Sequence, residues 1–386
     1  MMRARCYEKH QYPILEAGKL RAKMRSYLLP EQGTALIILV VALLAGAQPA
    51  RAQGSFQLLA APGALQGVLV GSDYVNSFGN INALGIGTPK GGLTLTTLSI
   101  GAIYFTPYIV RFANLPNNHR GGLTAYVSTN FAHPTAQIIQ HCPDTATCTT
   151  AGGYSAMSTS AASPSVVVPA PGIANNTQVT AGLGIFLPDN NGAGAFSGVD
   201  GAGVITFTMT DLTTNVVVAT ATFTFNGTPS HTVQNALQFT LATATGGLTV
   251  QPTADYSMSF GSVNGLGIGP AAGITTVAAS GGVIYSTPYV LQPAFADFAS
   301  TKGTISVFVS TDFVNPGSLQ ARSAPSSAGP YVTISKSSAT PTTITTTAAD
   351  RSSLTEFLGL FVSNVNGPTA FVGNDQATLT FTLTVP

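Results

Sequence analysis

Residues 378–385 read TLTFTLTV, a strict alternation of threonine with large apolar residues. A period of two puts the apolar side chains on one face and the threonines on the other, which is typical of a half-buried β-strand. Related patterns occur at 205–210 and 304–309, and threonine and valine favour strands because they are β-branched. No stretch of about 12 residues shows helical periodicity with capping residues, so the sequence predicts an all-β fold.

The segment 378–385 also belongs to an internal repeat. Its TFT at 380–382 matches TFT at 206–208. Longer matches lie in the same order along the chain: DYVNSFGNINALGIG at 73–87 with DYSMSFGSVNGLGIG at 255–269, YFTPY at 104–108 with YSTPY at 285–289, YVSTNF at 126–131 with FVSTDF at 308–313, and LGIF at 183–186 with LGLF at 358–361. A period of about 180 residues indicates a domain duplication, since solenoid repeats are about 20 to 50 residues long.

The duplication and the turn signals predict the domain organisation. Short strands separated by turn residues roughly every 8 to 15 positions are typical of antiparallel sandwiches. We predict two tandem β-sandwiches, immunoglobulin-like or jelly-roll-like, over residues 53–227 and 228–386. The first copy carries two additions that the second copy lacks, a loop between Cys142 and Cys148 and an apparent extra strand at 215–225.

Residues 1–52 predict a signal peptide with a long basic segment at its start. An apolar run of 14 residues at 34–47 is followed by small residues that suit cleavage between Ala52 and Gln53. A membrane-spanning helix needs about 20 apolar residues, which favours a secretory signal over a retained anchor. Met24 is an alternative start of translation, and a prepilin-type leader cut after Gly33 is an alternative to signal-peptidase cleavage.

Charge is sparse and is concentrated in this leader. The chain of 386 residues has 15 Lys+Arg and 14 Asp+Glu, or 8% charged, where about 25% is usual. Eight of the basic and three of the acidic residues precede residue 53, so seven basic and 11 acidic residues remain and the net charge becomes −4. The composition excludes a basic nucleic-acid binder and disorder caused by high charge, and it predicts membrane contact only through the export signal.

Cysteine usage agrees with export. Cys142 and Cys148 follow the leader, and in an oxidising compartment a C-x5-C pair predicts one small disulfide loop. Zinc binding together with the nearby His133 and His141 is the alternative, but the spacing matches no standard zinc pattern.

The sequence predicts no enzyme and no cofactor. It contains no G-x-S-x-G, H-E-x-x-H or G-x-x-x-x-G-K-[ST] motif. The histidines after the leader lie outside the body of the second copy: His119, His133, His141 and His231. The repeated scaffold therefore offers no shared histidine base. An enzyme would require His133, His141 and an acid to meet in one pocket.

Acidic residues shared by the two copies lie beside turns, where aspartate commonly accepts hydrogen bonds from the backbone. The pairs are Asp73 with Asp255 and Asp200 with Asp375. We predict structural roles for them rather than a paired-acid glycosidase. Asp189, Asn191 and Asp200 are calcium candidates because they offer hard oxygen ligands, but their spacing fits no calcium loop, so no metal is predicted.

Tyr108 and Tyr289 occupy equivalent places in the two YxTPY segments. Exposed tyrosine rings stack on sugars, so these two residues are the candidates for ligand binding if the chain is a carbohydrate-binding or adhesive module. The favoured interpretation is core packing with a hydrogen-bonded hydroxyl group.

The low charge of the exported chain suggests a class of function. Edge strands are usually protected by lysine or proline against pairing with neighbours, and here Thr, Ser, Asn and Gly take those places. The sequence therefore predicts a secreted or cell-surface structural protein that associates with itself, through strand edges or laterally, or with a surface polysaccharide or other envelope polymer. The alternatives are a carbohydrate-binding or adhesive module and an outer-membrane β-barrel.

Overall fold

The alternating segments form β-strands, which confirms the all-β prediction. A computed structural model describes residues 54–64, 68–70, 73–225, 232–252, 255–365 and 371–386. Within these ranges the chain consists of strands, turns and two short 3₁₀ turns, Ala151–Gly153 and Gly192–Gly194. No helix in these ranges is long and apolar enough to cross a membrane. The predicted leader, its cleavage site between Ala52 and Gln53, and the boundary between residues 227 and 228 lie outside the described residues.

The strands of the first copy are short and separated by glycine-rich turns. In chain order they are β1 (Ser55–Ala60), β2 (Val68–Val70), β3 (Asp73–Asn76), β4 (Asn80–Ile81), β5 (Thr94–Leu98), β6 (Gly101–Ala113), β7 (Arg120–Thr129), β8 (Ile138–Cys142), β9 (Ser155–Ala156), β10 (Ser165–Ala174), β11 (Gln178–Pro188), β12 (Gly198–Val199), β13 (Gly203–Asp211) and β14 (Val216–Phe225).

The first copy is a sandwich of two main sheets. One has the order β1-β6-β11-β8-β9, with β5 pairing on the same side of the long strand β6 as β1. The other has the order β10-β7-β13-β14-β3-β2. Tyr104 and Ile185 from the first sheet and Phe207 from the second belong to one buried cluster. The core therefore lies between the sheets, as the alternation of apolar and polar residues requires.

The second copy repeats most of these strands. They are β15 (Thr232–Val233), β16 (Ala236–Thr243), β17 (Gln251–Pro252), β18 (Tyr256–Ser257), β19 (Thr275–Ala279), β20 (Gly282–Ala296), β21 (Lys302–Thr311), β22 (Leu319–Ala324), β23 (Val332–Thr333), β24 (Thr342–Ala349), β25 (Leu354–Ser363) and β26 (Thr378–Thr384). β15 pairs with β4 and β12 of the first copy. The sheets of the second copy therefore begin with β16.

The sheets of the second copy match those of the first with one difference. The order β16-β20-β25-β22-β23, with β19 also on β20, repeats the first sheet strand by strand. The opposite sheet has only the order β24-β21-β26, and β17 and β18 form a separate hairpin. The extra strand predicted at 215–225 is β14, and it pairs within its own copy.

Two short pairings are parallel, whereas the sequence analysis predicts antiparallel sheets. Residues 223–225 of β14 pair in parallel with residues 74–76 of β3, and β15 pairs in parallel with β4. Parallel neighbours need a long crossover connection, and such connections leave no hairpin signal in the sequence.

The repeated glycine-rich motif has a structural role. The hydroxyl group of Tyr104 accepts a hydrogen bond from the Asn82 N–H at 3.2 Å and donates one to the Asn82 carbonyl oxygen at 2.9 Å. Tyr285 makes the same two bonds with Asn264, at 3.1 and 2.6 Å. Each tyrosine therefore fixes its repeated loop to the long central strand of its sheet.

A disulfide joins Cys142 to Cys148, whose Cα atoms are 5.6 Å apart. Replacing both cysteines by serine is expected to lower the free energy of unfolding by about 2 kcal/mol, because the unfolded chain is no longer constrained by a short closed loop. Urea unfolding of the variant beside the oxidised parent protein measures the change. Equal midpoints for the two proteins would contradict this expectation.

Candidate functional site

The second copy has a sheet edge that the first copy covers. In the first copy, β13 pairs with β7 on one side and with β14 on the other. The counterpart of β13 is β26, which pairs with β21, the counterpart of β7. Among the described residues no strand pairs with the other side of β26. We call this side the open edge of β26.

The pairing register shows that β13 and β26 are equivalent. Phe207 of β13 lies opposite Ala125 of β7, and Phe381 of β26 lies opposite Val307 of β21. Ala125 and Val307 occupy the same place in the two copies of the repeat. Phe207 and Phe381 are therefore counterparts.

The strand on the far side of β14 also lacks its partner in the second copy. In the first copy β14 pairs with β3 through Tyr74 and its neighbours. The counterpart of Tyr74 is Tyr256 in β18, and among the described strands β18 pairs only with β17. Tyr74 is 8% exposed and Tyr256 is 41% exposed. Thus β26 and β18, the counterparts of the two strands that flank β14, have no strand between them among the described residues.

β14 supplies aromatic side chains to the first core. The ring centroid of Phe225 lies 5.3 Å from that of Phe78, 5.7 Å from that of Phe131 and 5.0 Å from that of Phe223. Phe78 is fully buried, whereas its counterpart Phe260 is partly exposed. No described strand of the second copy supplies a counterpart of Phe225 beside Phe260.

The two cores differ accordingly. Most of the described buried apolar residues of the first copy belong to one cluster, which also includes Ala236 and Ala296 of the second copy. Others in the second copy divide into three smaller clusters, around Leu291, Val307 and Tyr285. Phe381 packs at the margins of two of these and is only partly buried, whereas Phe207 is 0% exposed. The second sandwich is less completely packed on the side of β26.

The open edge of β26 has no charge to guard it. A free strand edge presents unpaired N–H and C=O groups, and proteins usually block it with lysine, proline or a bulge. The strand reads TLTFTLT, with neither lysine nor proline. In the first copy the outer strand β10 contains Pro169 and Pro171 and pairs with two register shifts. The counterpart of β10 is β24, which also pairs with two register shifts but contains no proline.

Polar side chains join the two copies at a second location, which includes two of the calcium candidates. The Asn191 amide donates to the Phe295 carbonyl oxygen at 2.9 Å and accepts from the Phe298 N–H at 3.2 Å. The Arg351 guanidinium donates to the Asp189 carboxylate at 2.5 Å. Asn191 and Asp189 therefore hold residues of the second copy, and Asp200 lies elsewhere in a turn.

Two carboxyl groups at this junction have raised pKa values. Burial raises the pKa of Asp297, which is 5% exposed, to about 7, and the nearby Asp189 carboxylate adds to the rise. Burial also raises the pKa of Asp189 to about 6, against the opposing effect of the Arg351 guanidinium. Both values lie above the value of about 3.9 expected in an unfolded chain.

The folded protein is therefore expected to lose stability as the pH rises. A raised pKa in the folded state means that the stabilising contribution of Asp297 is complete below about pH 4 and is lost as the pH rises through about 7. Between pH 4 and pH 7 the ionisation of Asp297 should lower the free energy of unfolding by on the order of 3 kcal/mol. In the variant Asp297→Asn this decrease should be absent, and asparagine tolerates the φ of 64° at this position. Thermal unfolding of both proteins from pH 4 to pH 8 measures the difference, and parallel pH profiles would contradict it.

Two of the four aspartates that the repeats share, Asp200 and Asp375, accept backbone hydrogen bonds in turns, which is the role the sequence analysis predicts for them. Each carboxylate accepts three backbone N–H bonds at 2.7 to 3.1 Å: Asp200 from Ala132, His133 and Gly201, and Asp375 from Val314, Asn315 and Gln376. These bonds tie the loops after β7 and β21 to the segments before β13 and β26. The side chain of Asp73 lies outside the described residues.

Tyr108 and Tyr289 are core residues, 9% and 1% exposed. Burial raises the pKa of each hydroxyl above its usual range. Beside Tyr289, burial raises the pKa of Glu356 to about 7. A ring enclosed in this way offers no face to a sugar, so the structure does not present these two tyrosines as a carbohydrate-binding surface.

His133 and His141 do not form a catalytic or zinc site with Cys142 and Cys148. His133 lies beside Asp200, 3.3 Å from Nδ1 to the carboxylate, while His141 is buried next to Ser155. Cys142 is bound in the disulfide. Within the described ranges no group of three or more His, Cys, Asp or Glu residues is placed to hold a metal ion.

Comparison of the chain with known proteins finds matches among solved structures only. No protein-family model and no curated protein matches it. Among solved structures, the CupB6 tip adhesin from Pseudomonas aeruginosa aligns over 86% of this chain and 94% of its own, with 11% identity and a TM-score of 0.30. A chaperone–tip adhesin complex, described as vital for synergistic activation of CFA/I fimbriae biogenesis, aligns over 88% and 86%, with 12% identity and a TM-score of 0.26. These scores support no conclusion about fold or function, so the proposals below rest on contacts within this chain.

Proposed function

We propose that the chain is an exported structural protein of the cell surface that associates with its own copies through sheet edges of the second sandwich. The observation that carries this proposal is the open edge of β26. No described strand pairs with this edge, and no charged side chain in β26 opposes pairing with a further strand.

The sheet that contains β26 favours such contacts on both sides. Its order is β24-β21-β26, so β24 is its other outer strand. β24 reads TTITTTAA and also lacks charge. Threonine side chains along both strands allow close approach of another chain and favour extended backbone. The sheet can therefore be extended by a neighbour at either side.

Export is supported by the leader and by the disulfide. The predicted signal peptide precedes the compact unit Gly54–Pro386, and a disulfide persists in an oxidising compartment outside the cytosol. Net charge of −4 after predicted cleavage leaves little electrostatic repulsion between copies. These features agree with an exported protein whose copies associate with one another.

Sedimentation velocity tests the proposal on the unit Gly54–Pro386. We expect concentration-dependent association of the parent protein. The double variant Thr346→Lys, Thr382→Lys places one lysine at an exposed position of each outer strand. It is expected to weaken association at least about tenfold, because each lysine would have to be desolvated between strands.

The matched control carries the same added charge on a covered strand. Thr206→Lys with Thr208→Lys lies on β13, which has a neighbour on both sides, so association should remain at the parent level. A parent protein that stays monomeric at the highest attainable concentration would contradict the proposed self-association.

A further inference from the structure

We infer that a groove on the outer surface of the second sandwich binds one sugar residue of an uncharged polysaccharide. The groove has a volume of about 270 Å³ and lies where β16, β20 and the turn between β24 and β25 meet. This inference goes beyond the proposed function, because it concerns a surface to which neither outer strand of the β24-β21-β26 sheet contributes.

The pairing register brings polar side chains together in the groove. Thr240 of β16 lies opposite Gln292 of β20, and its hydroxyl group donates to the Gln292 amide oxygen at 3.4 Å. Gln238 and Ser353 line the same groove. Leu291 is fully buried, so the neighbouring side chain of Gln292 faces away from the core. Amide and hydroxyl groups both donate and accept hydrogen bonds, as the hydroxyl groups of a sugar do.

Arg351 supplies a fixed donor at one end of this polar lining. Its Nε donates to the Asp189 carboxylate at 2.5 Å, and the Asp189 side chain is only 6% exposed. This bond holds the guanidinium in one orientation. The two terminal amino groups of Arg351 bond to no described residue, so they are available to the oxygen atoms of a ligand.

The backbone at Arg351 has an unusual conformation. Its φ is 50°, in the left-handed region that arginine rarely adopts. The first copy has Asn176 in the equivalent turn, since both residues lie seven positions before the matched LGIF and LGLF segments. The φ of Asn176 is 59°, and asparagine adopts this region more readily. The second copy thus holds an arginine here at a cost in backbone energy, and such strain is typical of binding sites.

The first copy has similar side chains without a fixed arginine. On its outer surface Arg111 of β6 lies between Gln57 of β1 and Gln178 of β11. Arg111 belongs to a regular strand, and the ion pairs of the described residues do not include it. The equivalent surface of the first copy is therefore a matched control for the groove.

The charges around the groove favour an uncharged ligand. Arg351 is the charged residue that lines it, and the carboxylates of Asp189 and Asp350 lie 2.5 and 3.6 Å from its Nε. When all three groups are ionised their net charge is −1, which repels a carboxylate or phosphate group. The hydroxyl groups of a neutral sugar avoid this repulsion. Pockets for small molecules begin at about 300 Å³, so the groove suits a single sugar residue.

NMR titration of the unit Gly54–Pro386 with four neutral trisaccharides tests the inference. The trisaccharides contain glucose, galactose, mannose or N-acetylglucosamine. We expect at least one of them to bind in a 1:1 complex with a Kd on the order of 1 mM. The amide signals that shift should belong to β16, β20 and residues 351–353. A trisaccharide of galacturonic acid should bind at least about tenfold more weakly, because its carboxylates are repelled.

Two variants locate the site. Gln238→Ala with Gln292→Ala removes both amide groups from the groove and keeps the pair of Arg351 with Asp189, and Kd should rise at least about tenfold. Arg351→Asn should weaken binding at least as much, and asparagine suits the left-handed turn. Thermal unfolding of each variant shows whether the fold is retained.

The control variant, Gln57→Ala with Gln178→Ala, removes amide groups from the equivalent surface of the first copy and should leave Kd unchanged. Three outcomes would overturn the inference: no neutral trisaccharide binds at about ten times the expected Kd, the acidic trisaccharide binds more tightly than every neutral one, or the control weakens binding as much as the groove variant. A monomeric protein that binds the sugar would contradict self-association and leave the groove site in place.

Discussion

Phe207→Ala is expected to lower the free energy of unfolding by about 3 to 5 kcal/mol, the range for removing a fully buried phenylalanine. Phe207 is 0% exposed, and its ring lies 6.2 Å from the ring of Tyr108. Its counterpart Phe381 has an equivalent neighbour in Tyr289, at 5.8 Å, but it is partly exposed. Phe381→Ala should therefore cost less, by up to about a third, since less apolar surface is lost from the core.

This matched pair measures the difference between the two copies at one position of the sheet. Urea unfolding, followed by hydrogen exchange where the two sandwiches unfold separately, gives both free energies. Equal costs for the two substitutions would show that Phe381 is covered as fully as Phe207. In that case the open edge of β26 would have no energetic consequence.

A chain extended by a second copy of β14 is expected to unfold at a temperature about 10 °C higher. The extension places residues 213–225 directly after Pro386, because Val385 corresponds to Asp211 at the end of β13. The linked strand acts at a high effective concentration, since it need not be recruited from solution. Its two phenylalanines should cover Phe260 and Phe381 and join the clusters of the second core.

The extended chain should also associate less, because its own strand blocks the open edge of β26. The control carries the same extension with Phe223→Asp and Phe225→Asp, which keeps the length and removes the apolar contacts. Differential scanning calorimetry and sedimentation velocity report both effects. A midpoint that does not change, or that rises equally with the control extension, would show that the open edge of β26 does not accept a strand.

The strands and the duplication could be predicted because their signals are local or direct. Alternation in TLTFTLT specifies a strand with one buried face, and the two copies of the DY(V/S)xSFG motif mark the repeat without any structural knowledge. The turn role of Asp200 and Asp375 followed from the turn chemistry of aspartate, and the structure shows three backbone N–H bonds to each. The extra strand at 215–225 was visible because the second copy has no match for it.

The features that could not be predicted depend on contacts between distant residues. Asn191 suggested a calcium ligand by its type, but its amide bonds to the backbone of residues 295 and 298, more than 100 positions away. The raised pKa of Asp297 arises from burial at the same junction. Pairing order is equally non-local, so the sequence indicated an extra strand in the first copy but not that it lies between β13 and β3, whose counterparts β26 and β18 have no such strand among the described residues.

Hydrogen exchange of the backbone amides of β13 and β26 tests the central claim most directly. In an antiparallel sheet successive residues direct their N–H groups to opposite neighbours. In β13 both sets are paired, so all of its amides should exchange slowly. In β26 only the set directed to β21 should be slow, and the alternate set should exchange rapidly at a concentration where the protein is monomeric. Uniformly slow exchange along β26 in the monomer would contradict the account, because it would show that the edge is already covered.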